Sequence, residues 1–375
     1  MHPVRSNKKY VLGIDIGGTG IKAKLFEVSG SNLPSVSGWE SNQNTNKGLD
    51  EHVRQITAVV REANKYIREQ GAALVGIGIA SPGRFDEFGH IKPGTNTNLE
   101  LTKGEFDSVN LKEEYSRAIS DSFAALPPLY VCNDGNAMLA GMMDAIRTQT
   151  AEGLVDQNGK DVTKFGLAKQ HVALFGIGTG VGHAIVNMDI SGNDYKFVTD
   201  GHASKLRVKI DSQDWPMVEK AMKAIVAPDK IIAFPAEHEV RAEDLFRAPV
   251  INALADGYAE PDNAEHQAVL RFAGKYMART IALIKSGQSQ DVDSGNAWSD
   301  ADKAEAAKTS VYLIGGKMGT RPIGKKIIEY AAAELKALNI DDVKLVQFKG
   351  DDNPQRQAAL LVPPAEYRGG PAVAA

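Results

Sequence analysis

Apolar positions along the chain fall into two kinds of block. Nearly unbroken apolar runs of strand length occur at 10–16 (YVLGIDI), 74–80 (LVGIGIA) and 129–132 (LYVC), and these predict buried strands. Residues 21–28 (IKAKLFEV) alternate apolar and polar, the pattern of a half-exposed strand. Helical spacing appears at 50–71, where Val53, Ile56, Val60, Ala63 and Ile67 recur every three or four residues. Asp50 is placed to cap that helix and Gly71 to end it. Further helices are predicted around 111–124, from near Asp134, over 264–286, at about 323–337, and in a short final stretch, DDNPQRQAALL. Residues 151–170 read as an exposed excursion and 287–309 as a polar surface loop. The tail has little to bury and is expected to be mobile.

Glycine turns punctuate the strands. IDIGGTG, FGIGTGVG and LIGGKMG each close an apolar run. The stretch at 171–188, HVALFGIGTGVGHAIVNM, repeats the strand, glycine turn and strand of the first hairpin, so the chain carries an internal echo about half its length apart. Such turns serve a plain hairpin, or they hold an anion on successive N–H groups. The common phosphate motifs do not fit. The dinucleotide fingerprint fails because the third glycine position is Val181 or His183 and a strand, not a helix, follows. The Walker pattern from Gly319 to Lys325 has Lys326 where a hydroxyl is needed, and Pro322 inside the loop.

Composition narrows the classes. A chain of 375 residues has room for two domains, and 43% hydrophobic with 24% charged residues is ordinary for a globular protein. A net charge of −4 argues against nucleic acid as a partner. One cysteine, Cys132, allows neither an intramolecular disulfide nor a Cys-rich zinc site. The N-terminus has no signal-peptide core, and the chain has no apolar run of membrane-spanning length, so no membrane association and a cytoplasmic location are expected.

Seven segments in order, GIDIGGTGIKA, GIGIASPGRFDEFGHI, NTNLEL, VCNDGNAMLAG, LFGIGTGVGHAIV, DGH and YLIGGKMG, resemble the sugar kinase, heat-shock-70 and actin superfamily. Within it they are similar to the ROK group of bacterial sugar kinases and sugar-responsive repressors. The resemblance implies an α/β, two-lobed actin-like ATPase (ribonuclease H-like) fold with a cleft between the lobes. The expected division is a small lobe over 1–127 with a helix returning at 350–363, a large lobe over 128–349, and a tail over 364–375.

It also implies roles. Asp134 matches the catalytic base of the family's Asn-Asp pair, and Asn133 its sugar-contacting neighbour. Read alone, Asp134 serves equally as a helix cap. Asp15 matches the residue that engages Mg²⁺, usually through water. Gly17, Gly18 and Thr19 in the first turn and Gly178, Thr179 and Gly180 in the second are implied to face ATP phosphates, with Gly315, Gly316 and Lys317 near the adenosine. Gly83, Asn98 and His202 match sugar-pocket segments, and Glu219 a sugar-binding Glu. Thr199 stands where the family has Glu, and ASKLRVKIDSQDW lacks the family's zinc cysteines, so no structural zinc is expected. The implied activity is ATP- and Mg²⁺-dependent phosphorylation of a hexose, glucose-like or N-acetylated, at the 6-hydroxyl, by a homodimer. Polyphosphate as donor is an alternative. A sugar-sensing regulator is another, although only nine residues precede Tyr10, too few for the repressors' DNA-binding module.

Overall fold

The computed structural model describes residues 8–17, 20–28, 35–41, 48–83, 85, 90–91, 109–147, 154–160, 162, 171–177, 181–188, 195–199, 206–209, 211, 213, 215–216, 219–220, 223, 239–241, 263–288 and 299–348. The first apolar run forms β1 (Lys9–Gly17), buried from Tyr10 to Ile14. β2 (Gly20–Glu27) returns antiparallel beside it, and β3 (Ser35–Ser41) continues the meander. α1 (Leu49–Glu69) then leads to β4 (Ala73–Ser81), parallel to β1. α2 (Leu111–Ile119) and a 3-10 turn at Ser120–Ser122 lead to β5 (Leu129–Asn133), parallel to β4. The sheet order is β3-β2-β1-β4-β5. α3 (Asp134–Arg147) follows β5 with no loop between them.

The second half repeats this plan. β6 (Val155–Asp156) precedes a meander of β7 (His171–Ile177), β8 (Val181–Met188) and β9 (Tyr195–Thr199). β10 (Arg207–Lys209) and β11 (Glu239–Arg241) pair separately. α4 (Ala264–Lys285) and α5 (Asp300–Ala307) lead to β12 (Thr309–Gly315), parallel to β7. α6 (Gly316–Gly319) and α7 (Pro322–Ala337) lead to β13 (Lys344–Gln347), parallel to β12. The order is β6-β13-β12-β7-β8-β9. Leaving out β6, each sheet has its third, second, first, fourth and fifth strands side by side. The echo of glycine hairpins in the sequence is thus the start of a repeated topology.

The chain divides into two compact units. Among the described residues the first runs to Gly141 and the second from Met142 onward, a division that falls within α3. The sequence suggested 127, but β5 belongs to the first sheet and draws the start of α3 with it. In the first unit Leu12, Ile14, Ile77 and Ile79 meet Ile56, Val60 and Ala63 of α1 and Leu111 and Tyr115 of α2. Gly71, at φ 61°, ends α1 as expected: its N–H bonds Arg68 O at 3.0 Å and the Ala72 N–H bonds Ile67 O at 3.1 Å. Asp50 is not the cap. The helix starts at Leu49 behind Gly48, leaving Asp50 in the first turn, where the helix dipole favours it.

Two polar segments differ from expectation. Within 287–309, Ser299 and Asp302 form a reciprocal capping box that starts α5, and Ala306 is fully buried. Within 151–170, Leu154 and Val162 are buried and β6 pairs with β13. The helix expected to 124 ends at Ile119 and tightens into the 3-10 turn. The final helix and tail lie outside the described residues.

In the second unit α4 and α7 pack across Gly274. A Cβ there would lie 2.5 Å from the Tyr330 Cβ and 2.8 Å from Ile327 O. The Gly274→Ala variant is expected to lose about 1–2 kcal/mol, since overpacking outweighs the gain in helix propensity. A lowered urea midpoint at unchanged m-value is the check.

Candidate active site

Parallel strands present their C-terminal ends on one edge of a sheet, and in open α/β sheets ligands bind there. In the first sheet that edge is a row: Asp15 pairs with Ala80, and Ala80 with Cys132. One step on, Ser81 pairs with Asn133, and Asp134 begins α3. Asp15, Gly83 and the Asn133–Asp134 pair, predicted from three separate motifs, all belong to this unit.

Asn133 joins the parts. Its Nδ2 donates to Gly83 O at 2.6 Å. Its Oδ1 accepts the N–H groups of Gly135 at 2.9 Å and Asn136 at 3.2 Å. The Asn133 side chain therefore caps the start of α3 and shares the Gly135 N–H with Asp134. Asp134 Oδ1 takes the Gly135 N–H at 2.8 Å as well. Gly83 is buried at φ 130°, a backbone conformation that favours glycine. Asn136, in the first turn of the helix, keeps a buried Oδ1 that has no partner among the described residues.

Asp134 is exposed to solvent at the start of α3, with protein packed close around its carboxyl group. The displaced water raises its pKa, and the Gly135 N–H and the Asn133 amide work against the rise. Burial, and then the neighbouring charge of Asp134, push Asp15 up to about 7, with Lys22 opposing. Lys22 stands opposite Asp15 on β2, and Glu40 stands opposite Lys22 on β3 with a 3.7 Å ion pair. Beside them the Cys132 thiol is pushed up by burial and by Asp134, so it is a poor nucleophile.

Folded Asp15 holds its proton to about pH 7, while an unfolded aspartate releases it near 3.9. Between those values the folded chain binds the extra proton. The contribution of Asp15 is therefore most favourable below pH 4 and is lost as pH rises through 7. In metal-free buffer, Asp15→Asn is expected to be more stable than wild type at pH 8, by at most about 4 kcal/mol, and equal to it near pH 4. Urea unfolding at both pH values measures this.

The other candidates are placed unevenly. Gly17 ends β1 and pairs with Gly20 across the first turn, while Gly18 and Thr19 lie outside the described residues, as do Gly178, Thr179, Gly180, Asn98 and His202. Gly315 closes β12 and Gly316 opens α6 at φ 79°, against the end of β7 that leads into the second turn. Lys317 lies in α6, with its side chain outside the described set. Glu219 is in the second unit, half-buried, in a 2.5 Å ion pair with Lys223. Among the described residues no three His, Cys, Asp or Glu side chains gather as metal ligands. Asp15 and Asp134 nevertheless suit a divalent ion that takes one or two carboxylates and keeps its waters, because the charge of Asp134 raises the cost of charge on Asp15. No helix among the described residues is long and apolar enough to cross a membrane.

No protein-family model and no curated protein matches the chain. Solved structures do. Glucokinase from Balamuthia mandrillaris, in complex with glucose, aligns at a TM-score of 0.58 and 15% identity over 94% of this chain and 93% of its own. A ROK family protein from Streptococcus pneumoniae, in complex with sucrose, aligns at 0.54 and 13% over 96% and 100%. A ROK family transcriptional regulator, homologous to the MLC protein of E. coli, aligns at 0.50 and 15% over 94% and 77%. At these identities the likeness is one of fold: the chain has the α/β, actin-like ATPase fold of the glucokinases and ROK proteins.

Proposed function

We propose that this protein is a sugar kinase that transfers the γ-phosphate of ATP to a hexose, glucose-like or N-acetylated, at the 6-hydroxyl. The observation that carries the reading is the placement of the Asp134 carboxylate, solvent-accessible at the junction of β5 and α3, next to the Asn133 cap and beside Asp15. A raised pKa keeps such a group basic enough to accept a hydroxyl proton near neutral pH.

In this reading Asp134 accepts the proton as the sugar oxygen attacks in line. Asn133 holds the start of α3 to Gly83 and so fixes the direction of the base. Asp15 would hold Mg²⁺ through water, and the chemistry supplied there is neutralisation of charge on the phosphates. The turns containing Gly17, Gly18 and Thr19, and Gly178, Thr179 and Gly180, would offer N–H groups to the phosphate chain, and Gly315, Gly316 and Lys317 would line the adenosine. Gly83, Asn98, His202 and Glu219 would meet the sugar. The assembly proposed is a homodimer without structural zinc.

A coupled assay over a panel of hexoses, with ATP and polyphosphate in parallel, tests the proposal. Turnover with at least one hexose is expected, and the donor that supports it decides between ATP and polyphosphate. The regulator of the same fold favours a second reading, a sugar-binding protein without catalysis. Tight sugar binding with no turnover on either donor would establish that reading instead.

A further inference from the structure

Behind the Ser81–Pro82–Gly83 turn, three polar side chains sit in the core of the first unit. His52 of α1 and Ser81 of β4 are each 1% exposed, and Tyr115 of α2 is fully buried. The Tyr115 hydroxyl lies 3.5 Å from His52 Nδ1, and the Ser81 hydroxyl is near enough to oppose the rise that burial gives the Tyr115 pKa. Ser81 Oγ in turn lies 3.3 Å from Pro82 O. From there the contacts reach the site in two steps. The Gly83 carbonyl accepts from Asn133 Nδ2 at 2.6 Å, and Asn133 Oδ1 caps the Gly135 and Asn136 N–H groups at the start of α3.

Apolar side chains would fill this space at less desolvation cost, because a buried polar group must find its partners to be tolerated. What a satisfied network adds is one fixed arrangement, where an apolar cluster allows several. A fixed arrangement is worth having at this place. The turn it holds is the anchor of Asn133, and Asn133 is what sets the base-bearing helix start.

We propose that Tyr115 is a positioning residue for Asp134, acting through Ser81, the Gly83 carbonyl and Asn133. The catalytic part of this proposal rests on the kinase reading above; the structural part does not. Tyr115→Phe removes only the hydroxyl. It is expected to lower kcat about tenfold with the KM for ATP unchanged, since small displacements of a reacting group cost that much or more. The loss should vanish when Asp134 is already Asn, which a general weakening of the fold would not do. In protein labelled with ¹⁵N at Gly and Asn, the amide resonances of Gly135 and Asn136 should move. Should Tyr115→Phe fail to fold, the His52→Leu, Tyr115→Phe pair leaves fewer orphaned polar groups and is measured in its place.

Wild-type kcat together with unmoved Gly135 and Asn136 resonances would overturn the proposal. A wild-type protein inert on every sugar would overturn the kinase reading alone, and the amide resonances would still decide whether Tyr115 sets the start of α3.

Discussion

Asp134→Asn is expected to lower the rate of sugar phosphorylation about a thousandfold, within the range supplied by a positioned general base. The amide keeps the shape of the carboxylate and an oxygen for the Gly135 N–H, which Asp134 Oδ1 now accepts at 2.8 Å. Capping by Asn133 is untouched. What disappears is the group that takes the hydroxyl proton. The variant should remain folded and bind sugar and nucleotide with affinities near those of the wild type. At pH 8 it should be no less stable than the wild type, because a like charge has been removed from beside Asp15. The comparison of kcat with the melting temperature separates this outcome from unfolding. A variant that keeps wild-type kcat shows that the base lies elsewhere.

Gly316→Ala is expected to be among the most destabilising changes in the second unit. Gly316 has φ 79°, and a Cβ on it would lie 2.6 Å from Ile177 O and 2.8 Å from Ile177 N. Both neighbours are backbone atoms of β7 and have nowhere to retreat. The left-handed conformation costs a side-chain-bearing residue about 1–2 kcal/mol and the overlap about 1–3 more. A loss of about 3 kcal/mol corresponds to a fall in melting temperature on the order of 10 °C for a unit of this size. Because Ile177 leads directly into Gly178, the KM for ATP should also rise. Gly315→Ala is the contrasting case. The nearest atom it would meet is the flexible end of Met142, so its cost should be smaller. A melt of Gly316→Ala that matches the wild type would contradict this reading of the β12–α6 junction.

The parts of the fold that the sequence revealed are those whose burial is complete. β1 and β4 announce themselves because both faces are covered, and α1 because one face carries the core at helical spacing. β3, SVSGWES, was missed because much of it is exposed, and only contacts such as Trp39 with Tyr66 tie it to the core. α5 was missed because its stripe is polar and its signal is a capping box inside an alanine-rich run. β13 is four residues long, too short for a period to show. The site followed the same logic. Asp15 and Asp134 were legible because glycine turns and strand ends mark them. That Asn133 would be consumed by Gly83 and the helix start was not, because hydrogen-bond partners 50 residues apart leave no pattern along the chain. Tyr115 reads in sequence as one more core aromatic, and only its neighbours His52 and Ser81 give it a polar task.

The proposed role of this carboxylate pair is phosphoryl transfer to a sugar. The most direct measurement is ³¹P NMR of the protein with ATP, Mg²⁺ and each of a set of hexoses. A growing phosphomonoester resonance of a sugar 6-phosphate is expected, matched mole for mole by conversion of ATP to ADP. Loss of the γ-phosphate only to inorganic phosphate, or no change with any hexose, would contradict it.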